Sequence, residues 1–212
     1  MKKNLRILII TSVVTVLPML VGLVLWSKLP DRIPTHWNMA GEVDGWSGKG
    51  FAVFGMPLMM LAFQWICGFA LSADPKKQNQ PQKMLQASFW IIPVISVALM
   101  GIMYATALGK GINVNTVLPV LMGLIFAIIG NYLPKCKHNY TMGIKLPWTL
   151  NSEENWNRTH RLAGYVWMIG GIAIMLTGFL GGVMAMWIEL SIAITMALIP
   201  AVYSYVLYRK GI

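Results

Sequence analysis

Charged residues are scarce in this 212-residue sequence, and acidic residues are the scarcest. Asp, Glu, Lys and Arg make up only 11% of the chain, and seven residues are acidic. Nearly all of this charge lies outside six long apolar stretches, which span 5–26, 51–71, 86–108, 114–133, 162–180 and 184–208. Each stretch is close to the ~20 apolar residues that a helix needs to cross a bilayer core. The distribution therefore predicts a multi-pass membrane protein.

Cysteine is nearly absent as well. Cys67 lies in an apolar stretch and Cys136 in a loop, so the two residues are expected at different depths and no disulfide is predicted. The apolar stretches also lack the alternation of polar and apolar residues that a membrane β-barrel requires. Helices satisfy the backbone inside lipid without such alternation, so helices are expected.

The distribution of Lys and Arg sets the expected orientation. The amino terminus, the second and fourth loops and the carboxyl end carry thirteen of the 17 Lys and Arg residues, and the remaining loops carry four. We therefore predict an all-α polytopic membrane helix bundle with six transmembrane helices and both termini cytoplasmic, forming one integral membrane domain over 1–212. The first long loop, 27–50, is then outside, and the second, 134–160, is inside. The net charge of +10 is spread among these loops, which argues against nucleic acid as a partner.

Some residues inside the apolar stretches allow competing interpretations. Prolines there indicate kinks that shape the bundle, because the buried charge and paired unwound segments of a transport site are lacking. Glu189 is the one acidic residue in a stretch, and it is either interfacial or functional. Small residues at Gly123 and Ala127 predict close contact between helices, more readily within one molecule than between two.

The outer loop is dense in turn-forming and aromatic residues. Asp44-Gly45 is a strong tight-turn signal, and Gly41 permits a left-handed backbone, so we predict a small hairpin on the outer membrane surface. The hairpin is either a recognition site for an extracellular ligand or a folded cap whose polar groups satisfy one another. The predicted ligand contacts are His36, Trp37, Asn38, Gly41, Asp44 and Trp46.

The inner loop leads into the fifth predicted helix, which is expected to begin near Glu153. Thr149 or Ser152 can cap this helix, and Glu154 and Arg158 have the spacing of a helical ion pair. The loop contains no G-x-S-x-G, H-E-x-x-H or P-loop motif, so we expect neither an enzyme nor a cofactor.

A tryptophan and histidine stripe on this helix has three interpretations. Trp156 and His160 share one helix face, which is either an interfacial seam or a docking site for a cytoplasmic partner. The third interpretation is a metal site formed by Cys136, His138 and His160, although Cys-x-His is not a usual spacing for zinc ligands. The predicted partner contacts are Gly143, Pro147, Trp148, Thr149, Trp156, Arg158 and His160.

Both loops resemble a known family, the SdpI-type membrane immunity proteins. PTHWNMAGEVDG at 34–45 is similar to the family's amino-terminal signature. NYLPK, GIKLPWTL and WNRTHRLAG, all within 131–164, are similar to its carboxyl-terminal signature. One departure is Trp37, where another aromatic residue such as Phe is common.

The resemblance implies a function at the bacterial plasma membrane. The chain would protect its cell from a secreted toxin peptide, and with toxin present it would act as a receptor that holds a cytoplasmic transcriptional repressor at the membrane. The alternatives are a small membrane transporter, which should show a polar midplane, and a membrane enzyme, which should show convergent catalytic groups. Neither feature is visible in the sequence.

Overall fold

The structure is a computed structural model that describes the backbone of residues 2–212 and the side chains of residues 4–212. Seven α-helices and one β-hairpin make up the regular structure of this part of the chain. The elements are α1 (Lys2–Val24), β1 (Arg32–Trp37), β2 (Val43–Gly48), α2 (Met56–Ala73), α3 (Gln82–Ala107), α4 (Val114–Tyr132), α5 (Pro147–Asn151), α6 (Glu153–Thr177) and α7 (Gly182–Arg209). A π-helical turn, Phe51–Gly55, leads into α2. The predicted helical architecture and the predicted hairpin are both confirmed. The tight turn predicted at Asp44-Gly45 is wrong, because these residues lie within β2, and the turn between the strands contains Gly41 instead.

Among the residues that the structure describes, five helical segments are long and apolar enough to cross a membrane. They are Asn4–Val24, Phe51–Ala73, Gln82–Ala107, Val114–Lys135 and Gly182–Arg209. The remaining long helix, α6, corresponds to the fifth predicted span but is not among them. Its first turns carry Glu153, Glu154, Arg158 and Arg161. Six crossings and cytoplasmic termini therefore stay predictions, whereas a multi-pass membrane protein with a helical bundle is supported.

The helices run through their prolines without a break. Pro18, Pro93, Pro119 and Pro200 lie inside α1, α3, α4 and α7. A proline removes one backbone hydrogen bond, which membrane helices tolerate when neighbouring groups satisfy the freed carbonyl. Kinks at these prolines stay a prediction.

The chain forms two compact units, each with its own interior. The first contains the residues up to Phe69 together with Leu85–Val114. Its apolar cluster lies beneath the hairpin, where Ile33 of β1 packs with Val53, Met103 and Tyr104. Ile33 and Val53 are fully buried, so the base of the hairpin is anchored on the ends of the helices.

Polar side chains meet at the middle of three helices in this first unit. Gln64 of α2 bonds to both threonines of α1: its Nε2 donates to the Thr11 hydroxyl over 2.7 Å, and its Oε1 accepts from the Thr15 hydroxyl. Ser96 of α3 donates to the Thr15 carbonyl over 2.8 Å. All four side chains are buried. Because these groups satisfy one another, the cluster joins the helices rather than offering free polar groups to a substrate.

Close contact between α4 and α6 organises the second unit, Ala70–Met84 and Asn115–Ile212. A Cβ at Gly171 would lie 2.6 Å from the Ala127 amide nitrogen, and one at Gly130 would lie 2.6 Å from the Met168 amide nitrogen. No side chain fits between backbones at that distance, so glycine permits the crossing. The predicted intramolecular role of the small-residue stripe on α4 is thereby confirmed.

Candidate functional site

The outer hairpin is a short antiparallel ribbon with an irregular register. Pro34 pairs with Trp46, His36 with Gly45 and Trp37 with Val43, and the register shifts on both sides of His36. Such shifts leave a residue unpaired and re-aim its neighbours. Gly45 is needed at this bulge, since a Cβ there would lie 2.8 Å from the His36 Cβ.

Three of the predicted ligand contacts are exposed together on the hairpin. His36 Nδ1 and Asp44 Oδ1 lie 2.5 Å apart, and their side chains are 72% and 43% exposed. Trp46 is half-exposed two residues after Asp44. This face presents an imidazole, a carboxylate and an indole to a ligand.

The other three predicted contacts hold the hairpin in shape. The Asn38 Oδ1 accepts from the backbone amides of Ala40 and Glu42, over 2.9 Å and 3.0 Å. Gly41 follows with a φ of 81°, a conformation that favours glycine. Trp37 is partly buried against the apolar cluster that contains Ile33. The main role of Asn38, Gly41 and Trp37 is therefore to maintain the fold of the hairpin.

The inner loop is built around a buried asparagine. Asn139 is 1% exposed, and its Oδ1 accepts from the amides of Thr141 and Met142 over 2.8 Å and 2.6 Å. Its Nδ2 donates to the Lys137 carbonyl over 2.8 Å. These bonds fold the segment onto itself, as Asn does in tight turns.

The predicted stripe on α6 points into the protein. Trp156 and His160 are fully buried, and their rings stack with centroids 4.0 Å apart. The Trp156 Nε1 donates to the Cys136 carbonyl over 2.8 Å. The His138 ring meets Trp156 edge-on, with centroids 5.1 Å apart. The stripe thus joins the inner loop to α6.

Both nitrogens of the His160 ring have protein partners. Nδ1 donates to the Trp156 carbonyl over 2.8 Å, and Nε2 accepts from the Ile144 amide over 2.9 Å. This arrangement needs the neutral imidazole, because a proton on Nε2 would face an N–H group. Burial lowers the pKa of His160 to about 4, although the bond to the Trp156 carbonyl opposes the change.

Gly143 lies against this ring at the point where the loop turns. Its φ is 96°, and a Cβ there would collide with His160 Nε2 and would lie 3.1 Å from Trp156 Cζ2. Glycine at this position thus meets both a conformational and a steric requirement.

The remaining predicted partner contacts differ in accessibility. Thr149 is fully buried, and its hydroxyl accepts from the Leu146 amide over 2.8 Å. Trp148 packs against Tyr205 and Tyr208 of α7, with ring centroids 5.4 Å and 6.1 Å apart. Pro147 and Arg158 are exposed, and Arg158 pairs with Glu154 over 2.5 Å, as predicted. Of these four, only Pro147 and Arg158 are freely open to a partner.

The three proposed metal ligands do not converge on one point. Residues 4–212 contain no group of three or more His, Cys, Asp or Glu side chains that could hold a metal ion. His138 donates from Nε2 to the Leu150 carbonyl over 2.9 Å, and its Nδ1 lies 2.5 Å from the Lys76 Nζ. Burial raises the pKa of the Cys136 thiol to about 12, which disfavours the thiolate that metals bind.

Two polar contacts join α6 to α7, and of their residues only Glu189 stood out in the sequence. The buried Asn155 of α6 donates to the carbonyls of Ser204 and Ile212 and accepts from the Ser204 hydroxyl. Glu189 of α7 lies 2.9 Å from the Thr177 hydroxyl of α6. The first contact ties α6 to the end of α7, and the second gives Glu189 a partner on a neighbouring helix.

Comparison with known proteins supports the resemblance seen in the two loops. Residues 135–204 match the SdpI/YfhL protein family, and residues 13–61 match a domain of unknown function, DUF1648. Immunity protein SdpI of Bacillus subtilis (strain 168) is 25% identical over 210 residues, which cover 99% of this chain and 98% of that protein. The resemblance to SdpI-type proteins is therefore confirmed. No solved structure matches the chain.

Proposed function

We propose that this protein is an integral membrane immunity protein that protects its cell against a secreted toxic peptide. The observation that carries the proposal is the similarity to a protein named as an immunity protein, which extends over 99% of the chain. The match is not a product of apolar composition alone, because the matched region 135–204 includes the polar inner loop.

We assign the peptide contact to the exposed face of the hairpin. His36, Asp44 and Trp46 are the predicted contacts whose side chains are open, whereas Trp37 and Asn38 are used by the fold of the hairpin. An exposed indole flanked by a polar pair suits a peptide ligand, since aromatic residues supply much of the energy of such contacts. In the predicted topology this face is on the side from which a secreted peptide arrives.

Deletion of the gene tests the protective function. Cells without the protein should lose viability in medium conditioned by the parent strain, and expression of the full chain should restore it. Survival of the deletion strain at the parent's level would contradict the proposal.

Matched substitutions test the contact face. Asp44→Ala and Trp46→Ala should each reduce the tolerated dose of conditioned medium, and Trp46→Ala by about tenfold or more. Asp31→Ala is the control, because Asp31 is also an exposed carboxylate in one ion pair, with Lys49 at 3.4 Å. Membrane abundance should stay normal in all three variants, since exposed ion pairs contribute only about 0–1 kcal/mol to stability. If all three variants tolerated the same dose of conditioned medium, the hairpin would be a structural cap and not the peptide contact.

Capture of a transcriptional repressor is a second role, proposed from the resemblance alone. A partner on the inner side would meet Pro147 and Arg158, which are exposed, rather than the buried Trp156 and His160. Arg158→Ala should then reduce recruitment of a fluorescent repressor to the membrane and leave resistance intact. Unchanged recruitment in that variant would remove Arg158 from the contact.

A further inference from the structure

We propose that four lysines, two in the inner loop and two in the connection between α2 and α3, form a binding site for the phosphate headgroup of an anionic phospholipid. Lys76 and Lys77 lie in the connection between α2 and α3, and Lys137 and Lys145 lie in the loop between α4 and α5. We call these residues the lysine cluster.

Hydrogen bonds between the two connections bring the lysine cluster together. The Asp74 carboxylate accepts from the Thr141 hydroxyl over 2.6 Å and from the Tyr140 amide over 2.9 Å. The Gln80 side chain donates to the Lys137 carbonyl over 2.7 Å and accepts from the Lys137 amide over 3.2 Å. These contacts are buried or half-buried, so they hold the two connections that carry the lysines against each other.

The ammonium groups meet neutral acceptors rather than carboxylates. Lys76 Nζ lies 2.5 Å from His138 Nδ1, Lys77 Nζ donates to the Ser72 carbonyl, and Lys145 Nζ donates to the Thr141 carbonyl over 3.1 Å. The ion pairs among residues 4–212 are His36–Asp44, Lys49–Asp31 and Arg158–Glu154, and none of them involves the cluster.

Asp74 is the one acidic residue in the two connections, and its carboxylate already accepts hydrogen bonds from the protein. Asp74 is 5% exposed, and it also accepts from the Lys76 amide over 2.7 Å. An ammonium group has three donors, and each of the three lysines above bonds to one acceptor atom in the protein. The cluster therefore carries charge and donors that an external anion can use.

The position of the cluster favours a lipid over a soluble anion. Three apolar segments that are long enough to cross a membrane end beside it, at Ala73, Gln82 and Lys135. Lipid phosphates lie at the depth where such segments leave the hydrocarbon core. The half-exposed Tyr140 ring lies under Lys76 Nζ, 5.3 Å from it, and tyrosine is enriched at headgroup depth.

Lipid titration of the purified full chain tests the site. Bound lipids are counted by native mass spectrometry in detergent while phosphatidylglycerol or phosphatidylcholine is added. Wild-type protein should prefer phosphatidylglycerol, and Lys→Gln at all four positions should remove that preference. Each lost lysine should weaken phosphatidylglycerol binding about five-fold.

Two matched variants separate site binding from net charge. Gln at Lys28, Lys110, Arg209 and Lys210 removes the same four charges from exposed positions elsewhere and should keep the preference. Arg at the four cluster positions keeps the charge and should keep most of the binding. Equal loss in the two Gln variants, or no preference in the wild type, would overturn the proposal. Displacement of the lipid by equimolar inorganic phosphate would also overturn it, because the site would then take a soluble anion.

Photocrosslinking decides the matter if the four-Gln variant does not fold. Wild-type protein is irradiated with a photoactivatable phosphatidylglycerol and digested. Labels within 76–77 and 137–145 should dominate. Labels spread evenly over the chain would contradict a site at the cluster.

Discussion

Replacement of Gly143 by alanine tests the packing of the inner loop against α6. The change should reduce stability through two separate effects. Alanine at a φ of 96° should cost about 1–2 kcal/mol, because L-residues rarely adopt that region. The added methyl group would also collide with His160 Nε2, the atom that accepts the Ile144 amide, and overpacking of this kind costs about 1–3 kcal/mol. The total loss should be about 2–5 kcal/mol.

Gly109→Ala is the matched control for the backbone effect. Gly109 has a φ of 73°, and a Cβ there would meet no atom within 4 Å. Its substitution should therefore cost only the conformational part. Both variants are compared with the wild type by denaturant unfolding of the purified protein in one detergent at pH 7.5.

A double-mutant cycle identifies the colliding partner. In a His160→Ala background the Gly143→Ala change should lose most of its steric cost and approach the cost of Gly109→Ala. Such coupling between contacting residues is commonly 0.5–3 kcal/mol. Equal losses for Gly143→Ala and Gly109→Ala in the wild-type background would refute the close approach of loop and ring.

Three further predictions follow from the buried polar groups and the loop charges. The free energy of unfolding should fall by on the order of 3 kcal/mol as the pH drops from 6.5 towards 4, because the unfolded chain protonates His160 before the folded protein does. His160→Gln should flatten this part of the pH profile. Below that range the loss should continue as Asp74 protonates, since hydrogen bonds from Thr141 and from the amides of Lys76 and Tyr140 outweigh the effect of burial and lower its pKa. Gln64→Leu should cost at most about 1 kcal/mol in unfolding experiments, because the Thr11 and Thr15 hydroxyls also lie at hydrogen-bond distance from carbonyls of their own helix; a loss of several kcal/mol would show that the polar bonds dominate this contact. A reporter active only in the cytoplasm should work after Lys210, and one active only outside should work near Gly41; the opposite pattern would reverse the predicted topology.

The hairpin could be predicted from the sequence because its signals are local. Gly41 has a φ of 81° and lies in the turn between β1 and β2, as its backbone preference indicates, whereas Asp44-Gly45 lies within β2 and not at the turn. Which side chains point outward was not predictable in the same way. The register shifts on both sides of His36 determine that Trp37 packs inward and that Asp44 stays exposed. Such a bulge cannot be recognised from the alternation of polar and apolar residues in a strand of six residues.

The start of α6 was predictable, but the partner of its stripe was not. Ser152 accepts from the Asn155 amide over 3.2 Å at the beginning of the helix, as a capping residue should. The four-residue spacing of Trp156 and His160 shows that the two side chains share a face. It does not show what covers that face, because the covering residues, Cys136 and Ile144, come from a loop without periodicity.

The buried polar cluster of the first unit shows another limit of sequence reasoning. Thr11, Thr15, Gln64 and Ser96 lie in apolar stretches, where a few uncharged polar residues barely lower the hydropathy. Their meeting depends on how α1, α2 and α3 cross, which periodicity does not define. The sequence therefore showed no polar midplane, whereas the structure places buried hydrogen bonds at the middle of these helices.

The inner loop is packed against α6, and this packing limits how a receptor could signal through the loop. Opening the loop would break the Trp156–Cys136 and His160–Ile144 bonds, each worth about 0.5–1.5 kcal/mol net, and would expose a fully buried indole. Converting a population from 1:99 to 99:1 requires a ligand that binds the open state about 10⁴-fold more tightly, or about 5.5 kcal/mol. A partner that uses the exposed Arg158 and Pro147 needs no such conversion. The lower energetic requirement is the physical reason to examine the exposed residues of this segment before its buried stripe.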